Sequence, residues 1–211
     1  MSLAPFIDHT NLKATATPAN IEQLCKEAMT YSFYAVCVNG CYVSLAKQAL
    51  QESNVKVAAV IGFPLGAMST EAKVFEAVDC VKNGADEIDM VINVGWLKAK
   101  NYDIVRNEIK TVKEAIGNTI LKVIIETCYL NGAEKEIACT LSVEANADFV
   151  KTSTGFGTGG ATLDDVQLMK RIVGDKAKIK ASGGIKDKAT ALRYIELGVS
   201  RIGTSSGPTL L

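Results

Sequence analysis

The sequence predicts an α/β chain closed into a (β/α)8 barrel, and three observations carry that expectation. Short β-branched runs recur eight times along the 211 residues. Most are apolar throughout rather than alternating, as strands of a parallel sheet covered on both faces are. Helical stretches with their own start and stop signals lie between them, and repeated strand–helix units imply a parallel sheet. Eight such units close a barrel, for which about 200 residues is the lower limit, so this one must be compact. An open doubly wound sheet is the structural alternative.

The first strand candidate, APFIDHT at 4–10, is the weakest of the eight. In the stretch TPANIEQLCKEAM, Thr17 is placed to cap a helix and Pro18 falls at its first position. Ile21, Leu24, Cys25 and Ala28 then recur at helical spacing. Strand candidates two and three are YAVCVN at 34–39 and the run at 55–63. The helix in STEAKVFEAVDCVKNG carries Val74, Val78 and Val81 on one apolar side and stops at Gly84. EIDMVIN at 87–93 and LKVIIET at 121–127 are strands four and five. DFVKTST at 148–154 is the sixth, followed by a helix from Thr162 to Gly174. KIKASGG at 178–184 is the seventh, followed by a helix that stops at Gly198. SRIGTSS at 200–206 is the eighth, and little sequence follows it, so the eighth helix is expected to be short or missing.

Three helix-to-strand joins share a faint pattern, with Gly84, Asn146 and Gly198 at the same place in each. These residue types tolerate the left-handed conformation that closes a helix. No Pro/Ser-rich linker interrupts the series, so residues 1–211 are expected to form one barrel domain.

Composition narrows the function classes. Lys+Arg and Asp+Glu are 23 each, and no basic run or acidic tail appears. That argues against nucleic acid or a membrane surface as partner. No apolar run approaches the roughly 18 residues of a membrane span. The start, MSLAPFIDHT, lacks the charged and apolar regions of a signal peptide. Six cysteines form no CxxC pair, and the single histidine, His9, cannot complete a zinc site with Cys37 and Cys41. A reduced, cytoplasmic chain without structural disulfides or a metal is expected.

The candidate chemistry lies at strand ends, because barrels of this type work at the C-terminal ends of their strands. Lys151 ends an apolar run on strand six, Lys180 sits on strand seven and Asp89 on strand four. Period-two alternation groups Asp89 with Val91 and Asn93, Lys151 with Phe149 and Ser153, and Lys180 with Lys178 and Ser182. It likewise groups Lys122 with Glu126, and Asp8 with Thr10, while His9 faces away as a hydrogen-bonded structural residue. One strand lysine is readily explained by snorkelling, but several at matching heights explain one another inside a barrel mouth. Burial and a second cation depress a lysine's proton affinity. A fall from about 10.4 to about 7 raises the neutral fraction at pH 7 from about one in 2,500 to one half, at a cost of about 4.6 kcal/mol. A neutral lysine attacks carbonyls to form a Schiff base, and Asp89 is placed to shuttle protons.

The glycines point to a phosphate. Gly155 and GTGG at 157–160 follow strand six, Gly183 and Gly184 follow strand seven, and Gly203 with Ser205 and Ser206 belongs to strand eight. Glycine lets backbone N–H groups approach an anion, and serine hydroxyls donate further bonds. No Walker lysine or GxGxxG follows a strand, so a nucleotide is a poor fit.

At these residues the sequence resembles the deoxyribose-phosphate aldolases, class I aldolases with a TIM-barrel fold. The matching strings are IDHTNLK at 7–13, AVCVN at 35–39, VIGFPLG at 60–66, GADEIDMVIN at 84–93, LKVIIET at 121–127, VKTSTGF at 150–156, KASGGI at 180–185 and RIGTSS at 201–206. They span nearly the whole chain in the family's order. The resemblance implies that Lys151 is the Schiff-base lysine, that Lys180 tunes it and assists proton transfer, and that Asp89 joins the relay. It implies a phosphate site at Gly155, Gly183, Gly184, Gly203, Ser205 and Ser206. It places Asp8, Thr10, Cys37, Lys122 and Thr154 along the pocket near the reacting carbons, although for Cys37 a plain buried strand cysteine is an equal alternative. It implies reversible cleavage of 2-deoxy-D-ribose 5-phosphate to acetaldehyde and D-glyceraldehyde 3-phosphate in deoxynucleoside catabolism, with no cofactor and as a monomer or homodimer. Some members carry a terminal tyrosine that reaches the site; this sequence has none after Tyr194, which would leave enamine protonation to water or slow it. Two other readings stand beside it: a Schiff-base aldolase for a different sugar phosphate, and a barrel that binds a sugar phosphate without turnover.

Overall fold

A computed structural model of the chain describes residues 2–211. Eight parallel strands close into a barrel in sequence order, with the first hydrogen-bonded to the last. They are β1 (Ile7–Asn11), β2 (Ala35–Asn39), β3 (Lys56–Ile61), β4 (Glu87–Val91), β5 (Ile120–Ile124), β6 (Phe149–Lys151), β7 (Lys178–Ser182) and β8 (Arg201–Thr204). The open-sheet alternative is thereby excluded. The outer layer is α1 (Pro18–Tyr31), α2 (Val43–Ala49), α3 (Thr70–Lys82), the pair α4 (Val94–Lys98) and α5 (Tyr102–Ile116), α6 (Gly132–Glu144), α7 (Leu163–Val173) and α8 (Lys188–Glu196). All of these helices precede β8. After it the chain makes a single 3-10 turn, Gly207–Leu210, where an eighth outer helix would lie. A side chain at Gly207 would meet the Phe33 ring at 2.8 Å and His9 Nδ1 at 2.9 Å, so the turn seats directly on β1 and the loop before β2.

Local signals set the helix ends. Thr17 and Asn20 form a reciprocal capping box at the start of α1, and Thr162 caps α7 through the Asp165 N–H. Gly84, Asn146 and Gly198 all take positive φ at the joins into β4, β6 and β8. Of the expected α1 face, Ile21, Leu24, Cys25 and Ala28 are all buried.

The α3 face differs from expectation. Its buried residues are Lys73, Ala77 and Cys80, while Val78 is 44% exposed. The cause is one ion pair. Lys73 Nζ donates to the Val91 carbonyl at 2.8 Å and lies 2.8 Å from Glu108 Oε1 of α5. Glu108 Oε2 in turn accepts the Asn93 N–H at 3.3 Å. Burial lowers the proton affinity of Lys73 and raises that of Glu108, and the partner's charge and hydrogen bond only partly oppose this in each. The pair ties two helices to the C-terminal end of β4, two residues beyond Asp89.

Strand alternation divides the apolar from the polar. Outward side chains such as Ile7, Val36, Val57, Ile88, Val123, Val150, Ile179 and Ile202 build the main core against the helices. Inside the barrel, Cys37, Ala58 and Val60 pack with Leu12 and Phe63, and the inward-facing Val91, Ile124 and Phe149 are buried too. Barrel interiors of this kind are usually filled by branched apolar side chains. Here the strands send charges inward as well.

Removing one member of a buried pair leaves the other uncompensated, a loss of about 3 kcal/mol or more. Glu108→Ala is therefore expected to lower the unfolding free energy by that amount, read as a lower urea midpoint with the denaturant slope unchanged. A loss below about 1 kcal/mol would mean that packing alone holds α3 and α5 on β4.

Candidate active site

Seven charged side chains enter the barrel: Asp8 from β1, Glu87 and Asp89 from β4, Lys122 from β5, Lys151 from β6, Lys180 from β7 and Arg201 from β8. All are buried. Register places them at neighbouring heights, with Asp89 opposite Lys122, Lys151 opposite Lys180 and Lys180 opposite Arg201. Asp89 is the hub. Its Oδ2 accepts from Lys151 and Lys180, each at 2.8 Å, and its Oδ1 accepts from Lys122 at 2.7 Å. Lys180 also donates to Asp8 at 2.5 Å, and Lys122 Nζ lies 2.5 Å from Glu87. Four cations against three carboxylates leave one positive charge in excess when all are ionised (4 − 3 = 1).

An excess charge in a buried set is resolved at its weakest member. For Lys180 burial pulls the proton affinity down, but Asp8 and Asp89 outweigh it and hold it well above the lysine range. For Lys122 burial is likewise outweighed, by Asp89 and Glu87, and the result is raised. Lys151 goes the other way: burial lowers it, the Lys180 ammonium adds to that, and the shared Asp89 only partly opposes. Asp89 itself, with three ammonium neighbours overcoming its burial, lies well below the usual carboxylate range. Lys151 is the one lysine of this set whose proton affinity is lowered.

A cavity of about 550 Å³ opens at the C-terminal ends of the strands. Lys151 is the one of the seven charges on its wall among the described residues. Thr10, Thr154, Ser182 and all six expected phosphate-site residues, Gly155, Gly183, Gly184, Gly203, Ser205 and Ser206, also line it. Gly183 is at φ 87°, and a side chain there would meet the Gly160 Cα at 2.9 Å, so two loops touch through backbone alone. The structure sets Asp8, Asp89, Lys122 and Lys180 off the wall, in the ion network beneath Lys151. Cys37 lies there too, fully buried; burial raises its thiol and the nearby Lys180 opposes that.

Three residues with a bearing on the site were not singled out by the sequence. Lys13 and Lys186 line the cavity and supply cations near its glycines and hydroxyls. The cue was available, since each lies just beyond a strand end and a phosphate dianion needs counter-charge. Glu126 is the third. Alternation put it on the Lys122 face, but β5 ends at Ile124 and Glu126 turns to φ 54°. Its buried carboxylate accepts the Thr154 N–H at 3.2 Å and the Thr154 hydroxyl. Thr154 Oγ1 then accepts the Phe156 N–H at 3.0 Å, which fixes the loop after β6. His9 is hydrogen-bonded as expected, buried with Nε2 2.7 Å from Glu27, but both residues also line the cavity.

A lysine whose proton affinity is lowered by burial, set at the mouth of a closed barrel, is equipped to add to carbonyl compounds, and that defines a class of lysine-dependent barrel enzymes. Residues 3–207 match the family model of the DeoC/LacD family aldolases, and the chain belongs to that family. Curated relatives are deoxyribose-phosphate aldolases. The one from Finegoldia magna is 58% identical over 98% of this chain and 97% of its own length. The one from Carboxydothermus hydrogenoformans is 58% identical over 99% of this chain and 93% of its own. Among solved structures, the tetrameric deoxyribose phosphate aldolase from Aeropyrum pernix superposes with a TM-score of 0.90 at 30% identity, covering 99% of this chain and 88% of that one. No helix among the described residues is long and apolar enough to cross a membrane.

A lysine whose proton affinity is lower folded than unfolded destabilises the fold while protonated. That penalty is full below the folded value and vanishes above the ordinary lysine value of 10.5. Lys151→Leu removes it and leaves Asp89 paired with Lys122 and Lys180. The variant is expected to melt higher than the parent near about pH 5, with the gap closing as pH rises towards 10.5. A variant that melts lower in acid would show that the Lys151 ammonium is well accommodated.

Proposed function

We propose that this aldolase reversibly cleaves 2-deoxy-D-ribose 5-phosphate to acetaldehyde and D-glyceraldehyde 3-phosphate through a Schiff base on Lys151. The observation that carries the reading is the position of Lys151: it alone of the interior charges reaches the cavity, and it alone of the three lysines is pushed towards its neutral form. The names of its relatives supply the substrate.

The neutral Lys151 amine adds to the C1 aldehyde of the open-chain sugar. The carbinolamine takes up a proton and loses water, leaving an iminium. A base removes the C3 hydroxyl proton, the C3–O electrons form a carbonyl, and the C2–C3 bond breaks. Its electron pair moves through C2–C1 to the iminium nitrogen, giving an enamine and free D-glyceraldehyde 3-phosphate. Protonation at C2 restores the iminium, and water releases acetaldehyde and the amine.

Lys180 is the fixed ammonium in this scheme. It lowers the proton affinity of Lys151 and is the acid nearest to it, joined through the Asp89 carboxylate. Asp89 binds a proton too weakly to store one, so it orients the two lysines and passes protons between them. The loops after β6, β7 and β8 cradle the phosphate with backbone N–H groups and serine hydroxyls, and Lys13 and Lys186 balance its charge. Thr10 and Thr154 stand on the sugar-facing wall. We assign the enzyme to the cytoplasm, in deoxynucleoside catabolism, and as a homodimer. The exposed Phe75 and Val78 on α3 are apolar surface that a dimer would cover, and light scattering checks it.

Borohydride added during turnover of deoxyribose 5-phosphate is expected to fix a two-carbon or five-carbon adduct on Lys151, mapped by peptide mass. An adduct on Lys180 would reverse the two roles. Folded protein giving neither adduct nor glyceraldehyde 3-phosphate would end the aldolase reading. Lys180→Leu and Asp89→Leu are each expected to lower kcat by about 10²–10⁴-fold, the range for loss of a proton-transfer group.

A further inference from the structure

Arg201 stands apart from the rest of the interior set. It leaves β8 towards the N-terminal end of the barrel, in register with Lys180. Its guanidinium carbon lies 3.3 Å from the centre of the Tyr34 ring and 5.5 Å from that of Phe149. The nearest carboxylates are farther than hydrogen-bond length: Asp8 Oδ1 is 3.6 Å from Nε and Glu87 Oε1 is 3.6 Å from Nη2. Nη1 donates to the Ser200 carbonyl at 3.1 Å. The cation is thus held by two aromatic faces and a carbonyl, with no carboxylate of its own. A ring face stabilises a cation without cancelling its charge.

The three carboxylates are meanwhile divided among three lysines. Lys122 lies against Glu87 and Asp89, and Lys180 against Asp8 and Asp89. Lys151 has Asp89 only, and shares it with both. Without Arg201 the count would be three cations to three carboxylates, and no lysine would need to lose a proton. An arginine does not lose its own. The surplus therefore bears on the lysines, and Lys151 is the least well matched.

We propose that Arg201 is a positioning residue that acts through charge: it supplies the surplus positive charge that disfavours the Lys151 ammonium, although it touches no part of the substrate cavity. This rests on Lys151 being the Schiff-base lysine. The groups facing Arg201 are Asp8, Tyr34, Glu87, Phe149 and Lys180, with Lys178 Nζ 5.7 Å from the Phe149 ring at the exposed end of β7. Those facing Lys151 are Cys37, Asp89 and Lys180, with Lys122 across Asp89. Tyr34 and Cys37 are both raised, by burial first, so neither adds charge near neutrality.

The test is the acid limb of the kcat/KM pH profile for deoxyribose 5-phosphate, read alongside the pH dependence of borohydride trapping. Arg201→Met makes the set neutral with every lysine protonated, and both limbs are expected to move up by about one pH unit. Glu87→Gln adds to the surplus and is expected to move them down. The double variant restores three cations against two carboxylates, a surplus of one, and is expected to return the limbs to within a few tenths of the parent. Rescue of one interior substitution by a second is what a packing role would not give. The proposal fails if Arg201→Met leaves the limb in place, if the two single variants shift it the same way, or if the double lies farther from the parent than Arg201→Met does. Should Arg201→Met not fold, Glu87→Gln and the double decide on the same terms. A parent enzyme that traps its adduct on another lysine would refute the mechanism first, whereas trapping on Lys151 with unmoved limbs would refute only the role of Arg201.

Discussion

The structure depends on one carboxylate shared by three lysines. Asp89 has two oxygens and three ammonium neighbours, so it cannot satisfy all of them equally. Lys122 and Lys180 each find a second carboxylate, and Lys151 does not. The asymmetry is enforced by geometry, because all seven interior charges are fixed to strands whose register is set by backbone hydrogen bonds. In water such a set would relax and exchange partners. Inside the barrel it cannot, and the imbalance is expressed as a lowered proton affinity at the single lysine that meets the cavity.

Burying that many charges is costly, and the rest of the fold has to offset it. The outward faces of the strands are almost wholly apolar and join the helices in one continuous core. That layer holds the barrel closed whatever its interior contains. The Lys73–Glu108 pair does a related task from outside, gripping the Val91 carbonyl and the Asn93 N–H at the end of β4. It limits how far the strand bearing Asp89 can shift. Glu126 acts similarly on the loop after β6, at the expense of a left-handed backbone. Stability and chemistry are thus segregated to opposite faces of the same strands.

The two ends of the active-site strands do different work. Above Lys151 lie flexible residue types, glycine and serine, whose backbones can approach an anion. Below it lie the other six interior charges, which do not reach the cavity. The family resemblance implies that Asp8, Cys37 and Lys122 line the pocket, whereas all three are fully buried and none is on the cavity wall. Alternation along a strand says which side chains point inward, but not how deep in the barrel each one ends. Depth depends on strand tilt and register, which are properties of the closed sheet.

The sequence by itself determined the barrel, the order of its strands and the ends of the helices it marked, because these rest on local periodicity and capping chemistry that each segment carries alone. It also marked Lys151, Lys180 and Asp89, since a charge within an apolar strand stands out without any partner in view. Only the tertiary structure decided the α3 face, because Lys73 is buried by a partner on α5 that no local pattern reveals. The same holds for the count of charges in the interior. Glu87 and Arg201 look like ordinary strand-edge residues in sequence, and they matter because closure of the sheet brings β4 and β8 to the same small volume. Which lysine loses its proton is a property of that volume and of no single strand.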